Sequence, residues 1–287
     1  MTASIHTNIE SFADLKKLQG TLRLKILEMY FTANAGHIGC SLSCIDLMIG
    51  SLISHRKENE VFLLSKGHAA ASLYACLHEL GEISDEVLAT YYKNGTTLPA
   101  HPAPNKIKGI PFATGSLGHG LPIASGIAQG NKILQNDEFT YVLMSDGETN
   151  EGTTWEAAHY AVANGLDNLI VMIDKNGLQG FGNTDEVLGV SADKNKWEAM
   201  GFEVVECDGH DVEEIYTQID LFKDRKNGIP KLLIANTVKG KGVSYMENKL
   251  EWHYLPMKSE QYEMAKKDVY RNYSPPNPQR GSFSKEF

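Results

Sequence analysis

The sequence predicts an α/β protein: a doubly wound, mostly parallel sheet flanked by helices. Three observations predict it. Residues 139–144 (Phe-Thr-Tyr-Val-Leu-Met) and 168–173 (Asn-Leu-Ile-Val-Met-Ile) are short, β-branched-rich apolar runs. Such runs read as strands buried on both faces of a parallel sheet. Between them, Thr153-Thr154-Trp155-Glu156 has the Thr-x-x-Glu form of a capping box. The helix it opens runs to about Gly165 and buries Ala157, Ala158, Ala161 and Val162, so the segment reads as one βαβ unit. Elsewhere strand and helix patterns alternate.

In chain order, Ser11-x-x-Asp14 opens a helix with Leu15, Leu18, Leu22, Ile26 and Met29 on one stripe. A second helix follows His37, around residues 45–48. Residues 61–64 (Val-Phe-Leu-Leu) form a strand that ends at the loop of His68, and residues 70–80 are helical. After the βαβ unit come a strand at 202–206, a helix at 212–222 and a strand at 231–236. Residues 1–260 form one domain, and 261–287 a polar tail or arm that carries Ser274-Pro275-Pro276-Asn277-Pro278. There is no internal repeat.

Two polar positions stand just past the carboxyl ends of the paired strands. Asp146 lies in Ser145-Asp146-Gly147-Glu148-Thr149-Asn150-Glu151-Gly152, and Asn176 in Asp174-Lys175-Asn176-Gly177-Leu178-Gln179. Open α/β sheets bind ligands at that edge. A hard cation takes oxygen ligands and shares them with substrate phosphates. One carboxylate, one amide oxygen and a nearby carbonyl make half a shell for a metal–diphosphate. The helix that follows turns free N–H groups toward a bound anion. Asn-Gly is also a common turn dipeptide, so two plain loops are the competing reading.

Of ten histidines, His37, His68, His101 and His119 sit in Gly- or Pro-rich contexts, and His253 follows Glu251-Trp252. A lone loop histidine is usually surface. Several on glycine-flanked turns point to a ligand, because glycine admits close backbone approach and imidazole moves protons near neutral pH.

Together these segments resemble the transketolase family, in the family's order. They are Gly36-His37-Ile38-Gly39, Leu64-Ser65-Lys66-Gly67-His68, Ala100-His101-Pro102, Thr114-Gly115-Ser116-Leu117-Gly118-His119-Gly120, the Asp146–Asn176 pair, and His253. The resemblance covers about residues 10 to 257. It implies a thiamine diphosphate-binding fold with Mg²⁺ (or Ca²⁺) held by Asp146, Asn176 and the Leu178 carbonyl. It implies cofactor contacts from His68, Gly115, Ser116, Leu117, Gly147, Glu148 and Asn176. His37, His68, His101 and His253 would be catalytic, and Glu151 would lie at the interface that couples two active sites. Departures are Ser145 for a glycine, Ile38 for a proline, His119 for a glutamine, and Gly-Phe-Gly-Asn-Thr after Gln179.

Complete transketolases are more than twice this length, so the chain resembles the N-terminal half of a split enzyme. That implies a C-terminal partner subunit holding the pyrimidine, an α2β2 assembly, and ketol transfer between sugars or sugar phosphates. None of the five arginines (23, 56, 225, 271 and 280) lies in a histidine-bearing loop. Arginine is the usual bidentate clamp for phosphate. Either the partner supplies the clamp or the substrate has no terminal phosphate. A net charge of −9 disfavours nucleic acid and anionic membranes as partners. The uncharged run 109–131 is broken by glycine and proline, which disfavours a membrane span. With no signal peptide and no Cys-x-x-Cys, Cys40, Cys44, Cys76 and Cys207 read as reduced, buried thiols of a cytoplasmic protein. Other readings are one half of a deoxyxylulose phosphate synthase-like or 2-oxo acid dehydrogenase E1-like enzyme, since Lys239-Gly240-Lys241-Gly242 is shared with the synthase, or a non-catalytic scaffold.

Overall fold

A computed structural model describes residues 11–104 and 107–274. The chain enters through α1 (Phe12–Ala33) and α2 (Ile38–Met48), which continues as a π-helical stretch, Ile49–Ile53. Next come β1 (Val61–Leu64), α3 (Ala70–Glu79), α4 (Asp85–Leu88) and α5 (Gly120–Ile133). The expected βαβ unit is β2 (Thr140–Ser145), α6 (Gly152–Ala163) and β3 (Leu169–Lys175). A two-stranded hairpin, β4 (Leu178–Gln179) and β5 (Gly182–Asn183), leads to α7 (Thr184–Leu188) and α8 (Lys194–Met200). The chain closes with β6 (Glu203–Asp208), α9 (Val212–Asp224), β7 (Lys231–Asn236) and α10 (Ser259–Tyr273).

The main sheet is parallel throughout, in the order β1-β2-β3-β7-β6. Alternate residues of each strand feed two cores, as the pleat requires. Tyr141, Leu143, Ile170, Met172 and Leu233 pack under α1, α2, α3 and α9. Val142, Met144, Val171, Ile173 and Ile234 pack under α5, α6 and α8. Each such aliphatic side chain taken fully out of water contributes about 1.5–3 kcal/mol. The strand order reverses between β3 and β7, which fixes where the carboxyl ends splay and a ligand crevice opens.

The structure differs from the sequence expectation in two elements. The capping box at Thr153 does not form. α6 starts at Gly152 after Glu151, and the Thr153 hydroxyl donates to the Gly118 carbonyl at 2.8 Å. A partner from a distant loop has won over the local cap. The second difference is α10, which crosses the expected domain boundary at residue 260. It lies on α1 with Ala265 and Val269 buried, and Tyr262 stacks on Phe31 at 4.3 Å between ring centroids. The Pro-rich residues 275–278 lie outside the described residues.

Candidate active site

Four strand ends converge on one place. β1 runs through Lys66 into the short turn Gly67–Ala69 and sets His68 there. β2 delivers Asp146, β3 delivers Asn176, and β7 leads to Lys239. Over them opens a pocket of about 420 Å³, whose walls include Cys40, His68, Asp146, Asn176, Lys239 and His253. Leu117, Gly147, Glu151 and Leu178 also line it.

The imidazoles gather on one side. The His37 ring centroid lies 5.7 Å from His68, 6.2 Å from His101 and 5.0 Å from His253. His37 precedes α2 with φ at 72°, a left-handed conformation uncommon for a residue with a side chain. Its backbone N–H donates to the His253 carbonyl at 3.1 Å, which holds the two segments together. A Cβ on Gly36 would stand 2.3 Å from the Tyr254 carbonyl oxygen, and one on Gly115 would stand 2.5 Å from the His101 ring. Both glycines are therefore needed for the close approach. Burial pushes the His68 imidazole below its ordinary value, and the nearby Cys40 opposes this in part. Burial and the neighbouring His37 do the same to His101.

Two side-chain oxygens, from Asp146 and Asn176, line the same pocket. Asp146 is 2% exposed; its two oxygens accept the N–H groups of Gly147 at 2.7 Å and Gly177 at 2.6 Å. Burial, and next the Asp174 carboxylate, raise its pKa. A carboxylate so placed fits a divalent cation, which would offset the desolvation that neutral donors only partly relieve. Asn176 donates its amide to Asp174 Oδ2 at 3.2 Å, which leaves Oδ1 as its ligand atom; that oxygen accepts the Leu178 N–H at 3.1 Å. Asp174 is itself fully buried beside Lys66, Ser43 and Thr237. Burial pushes its carboxyl up, but Lys66 and these hydrogen bonds bring it below the usual range.

Other residues of the sequence reading take the following places. Glu148 does not line the pocket. Its carboxylate is fully buried and accepts from the Ser65 hydroxyl, the Gly118 N–H at 2.9 Å and the Ser145 N–H at 3.3 Å. These bonds brace the Gly118 loop against β1 and β2. Gly115 stands beside His101, neither it nor Ser116 is among the residues lining the pocket, and Glu151 is exposed in the single chain. The Leu178 carbonyl already accepts a hydrogen bond from Lys239 Nζ at 3.0 Å, so a cation taking it would share it.

Three site residues escaped the sequence reading. Lys239, fully buried, also donates to His253 Nδ1 at 2.9 Å. Cys40 sits with its Sγ 3.5 Å from that same nitrogen. Burial alone would raise the thiol, but Lys239, His68 and the His253 hydrogen bond hold it well below its ordinary value. Tyr254 spans the rim and donates to the Gly180 carbonyl at 2.7 Å. The one available signal was Lys239-Gly240-Lys241-Gly242: a lysine in a glycine turn after a buried strand.

A parallel sheet with buried carboxylate and amide oxygens at its carboxyl edge, and imidazoles lining the same pocket, defines an α/β cofactor-binding domain of the thiamine diphosphate type. Residues 16–277 match the family model described as transketolase, thiamine diphosphate binding domain, and the chain belongs to that family. It is 38% identical over 271 residues to the A subunit of apulose-4-phosphate transketolase from Actinobacillus succinogenes, covering 90% of this chain and 97% of that one. It is 34% identical over 265 residues to the 6-deoxy-6-sulfo-D-fructose transketolase subunit SqwG of Clostridium sp. (strain MSTE9), covering 89% and 96%. The crystal structure of Campylobacter jejuni transketolase superposes with a TM-score of 0.81 at 32% identity. That match covers 89% of this chain but 43% of the solved one, so the chain spans less than half of that transketolase. Among the described residues no helix is long and apolar enough to cross a membrane.

Proposed function

We propose that this chain is the diphosphate-binding subunit of a two-subunit transketolase. With a C-terminal partner it transfers a two-carbon ketol unit from a ketose to an aldose acceptor. The observation that carries this reading is one pocket lined by the buried Asp146 and Asn176 together with His68 and His253, with the His37 ring 5.0 Å from His253 and 6.2 Å from His101. The relatives from Actinobacillus succinogenes and Clostridium are themselves named as subunits and are matched over nearly their whole length, which supports the division into two chains.

Asp146 and Asn176, with the Leu178 carbonyl, would hold Mg²⁺ and through it the diphosphate. Thiamine diphosphate supplies an electron sink for cleaving the bond next to the donor carbonyl. The chain's own residues orient the sugar and move its protons. His68, held neutral by burial, accepts a proton from a substrate hydroxyl. His37 Nδ1 is buried with no hydrogen-bond partner among the described residues, which leaves it free for a substrate hydroxyl. His253 Nδ1 faces both Lys239 Nζ at 2.9 Å and Cys40 Sγ at 3.5 Å, which leaves Nε2 as the ring nitrogen available to a substrate hydroxyl. His101, beside His37, completes the set.

Calorimetry on the full chain tests the first half. Thiamine diphosphate should bind only with Mg²⁺ or Ca²⁺ present, and Asp146→Ala should abolish that metal-dependent binding while the fold persists. Unchanged cofactor affinity in Asp146→Ala would show the ligand assignment to be wrong.

A further inference from the structure

We propose that Cys40, His37 and His253 form a binding site for a borderline or soft divalent cation such as Zn²⁺, with ligands wholly separate from Asp146 and Asn176. The cysteine Sγ and one ring nitrogen of each histidine all lie within 4.8 Å of one another. Zinc bonds of about 2.0–2.3 Å set tetrahedral edges of roughly 3.3–3.6 Å. The Cys40 Sγ to His253 Nδ1 distance, 3.5 Å, is already such an edge. Side-chain turns of about an ångström would close the others.

Three further observations favour a ligand there. His37 Nδ1 is buried and carries no hydrogen bond among the described residues, so no existing bond at that atom is lost on ligation. The supports are firm: Cys40 stands in the first turn of the buried α2, and the His37 N–H is fixed to the His253 carbonyl at 3.1 Å. Cys40 and His253 both line the pocket, so the fourth position opens to water or to a pocket ligand. Three protein ligands and an open fourth are the usual form of a reactive zinc site. A thiolate with two imidazoles selects zinc over magnesium, which prefers oxygen. On binding, the thiol proton passes to solvent. Lys239 gives up His253 Nδ1 and keeps the Leu178 carbonyl, already 3.0 Å away.

The inference stands on these ligands and not on the proposed reaction. Its consequence for that reaction is inhibition, because the cation occupies ring nitrogens that a sugar would use.

The test uses the full-length chain, stripped with chelator and titrated with Co²⁺ at neutral pH. One equivalent should give a thiolate-to-cobalt charge-transfer band with tetrahedral d–d bands. Zn²⁺ should bleach them and Mg²⁺ should not. Cys40→Ala should lose the charge-transfer band, and His253→Gln should weaken Co²⁺ binding by roughly tenfold or more. Asp146→Asn should leave the band in place, which separates this site from the magnesium ligands. A wild-type spectrum without a thiolate band, or a band that survives in Cys40→Ala, overturns the proposal. If circular dichroism shows Cys40→Ala unfolded, His253→Gln decides, and unchanged affinity there overturns it equally.

Discussion

His68 and His101 are imidazoles whose protonation is set by burial, and their consequences are testable one residue at a time. Both are shifted below the ordinary histidine value. The neutral form, the form that accepts a proton, therefore persists to lower pH than in an exposed histidine. In the reconstituted enzyme the acid limb of kcat should fall below the unperturbed histidine value of about 6.5, not above it. A limb centred above that value would show that burial does not govern these groups. Single His→Ala changes at positions 37, 68, 101 and 253 should each lower turnover by ~10²–10⁴. Thiamine diphosphate affinity, measured by calorimetry, should stay nearly constant. Full activity in all four variants would remove the histidines from the chemistry. His37, His68 and His101 stood out because glycine or proline flanks them in a fixed order, and His253 only through the family resemblance. Cys40 and Lys239 did not stand out. A cysteine on a helix face reads as packing, and only the fold brings the lysine after β7 and α2's cysteine to the same histidine nitrogen.

Single elements are tied together by buried charge. Asp46 of α2 is fully buried and accepts from Arg23 of α1 at 2.8 and 2.6 Å, from Gln19 at 3.0 Å and from His210 at 2.8 Å. Burial pushes its carboxyl up, but Arg23 and His210 together outweigh burial and hold it down at about 2. A depressed folded value stabilises above the unfolded value and is lost as pH falls through the folded one. This carboxylate therefore contributes about 2 kcal/mol at neutral pH that disappears between about pH 4 and pH 2. Asp46→Asn leaves Arg23 buried without its charge partner, which should cost about 3–5 kcal/mol at neutral pH. Thermal melts should show the gap between variant and wild type narrowing toward pH 2; a constant gap would contradict the assignment. The Lys66–Asp174 pair plays the same part nearer the site, since it orients the Asn176 amide. Most elements could be read from periodicity: residues 231–236 were expected as a strand and form β7. α10 was missed because its buried stripe, Tyr262, Ala265, Val269 and Tyr273, is sparse in a polar sequence. It folds on α1 for tertiary reasons that local pattern does not carry.

At the scale of the whole molecule, the pocket opens at a rim of exposed apolar side chains. Its rim exposes Phe181 at 88%, Leu188 at 67% and Tyr254 at 54%, all close to the hairpin β4–β5 and α7. Apolar side chains gathered on a pocket rim mark an interaction surface. None of the arginines at 23, 56, 225 and 271 faces the pocket: Arg23 is engaged by Asp46, Arg56 by Glu82, Arg225 by Glu203, and Arg271 lies beside Asp268. Among the described residues, the basic side chains that line the pocket are histidines and Lys239. A terminal phosphate therefore finds no guanidinium clamp among them, and the C-terminal partner becomes the expected source of one. In the proposed subunit role, the chain alone should show no ketol transfer. Mixed with its partner it should sediment as an α2β2 assembly. Phe181→Glu should weaken that assembly, because it would desolvate a charge at the interface. Glu151→Ala should lower turnover in the assembly without altering the fold of the isolated chain. A donor screen on the pair then separates the two sources of specificity. If phosphorylated ketoses are used, replacing an arginine of the partner should raise KM for them while leaving unphosphorylated ketoses unaffected. Strong ketol transfer by this chain alone would overturn the subunit role, whatever the donor.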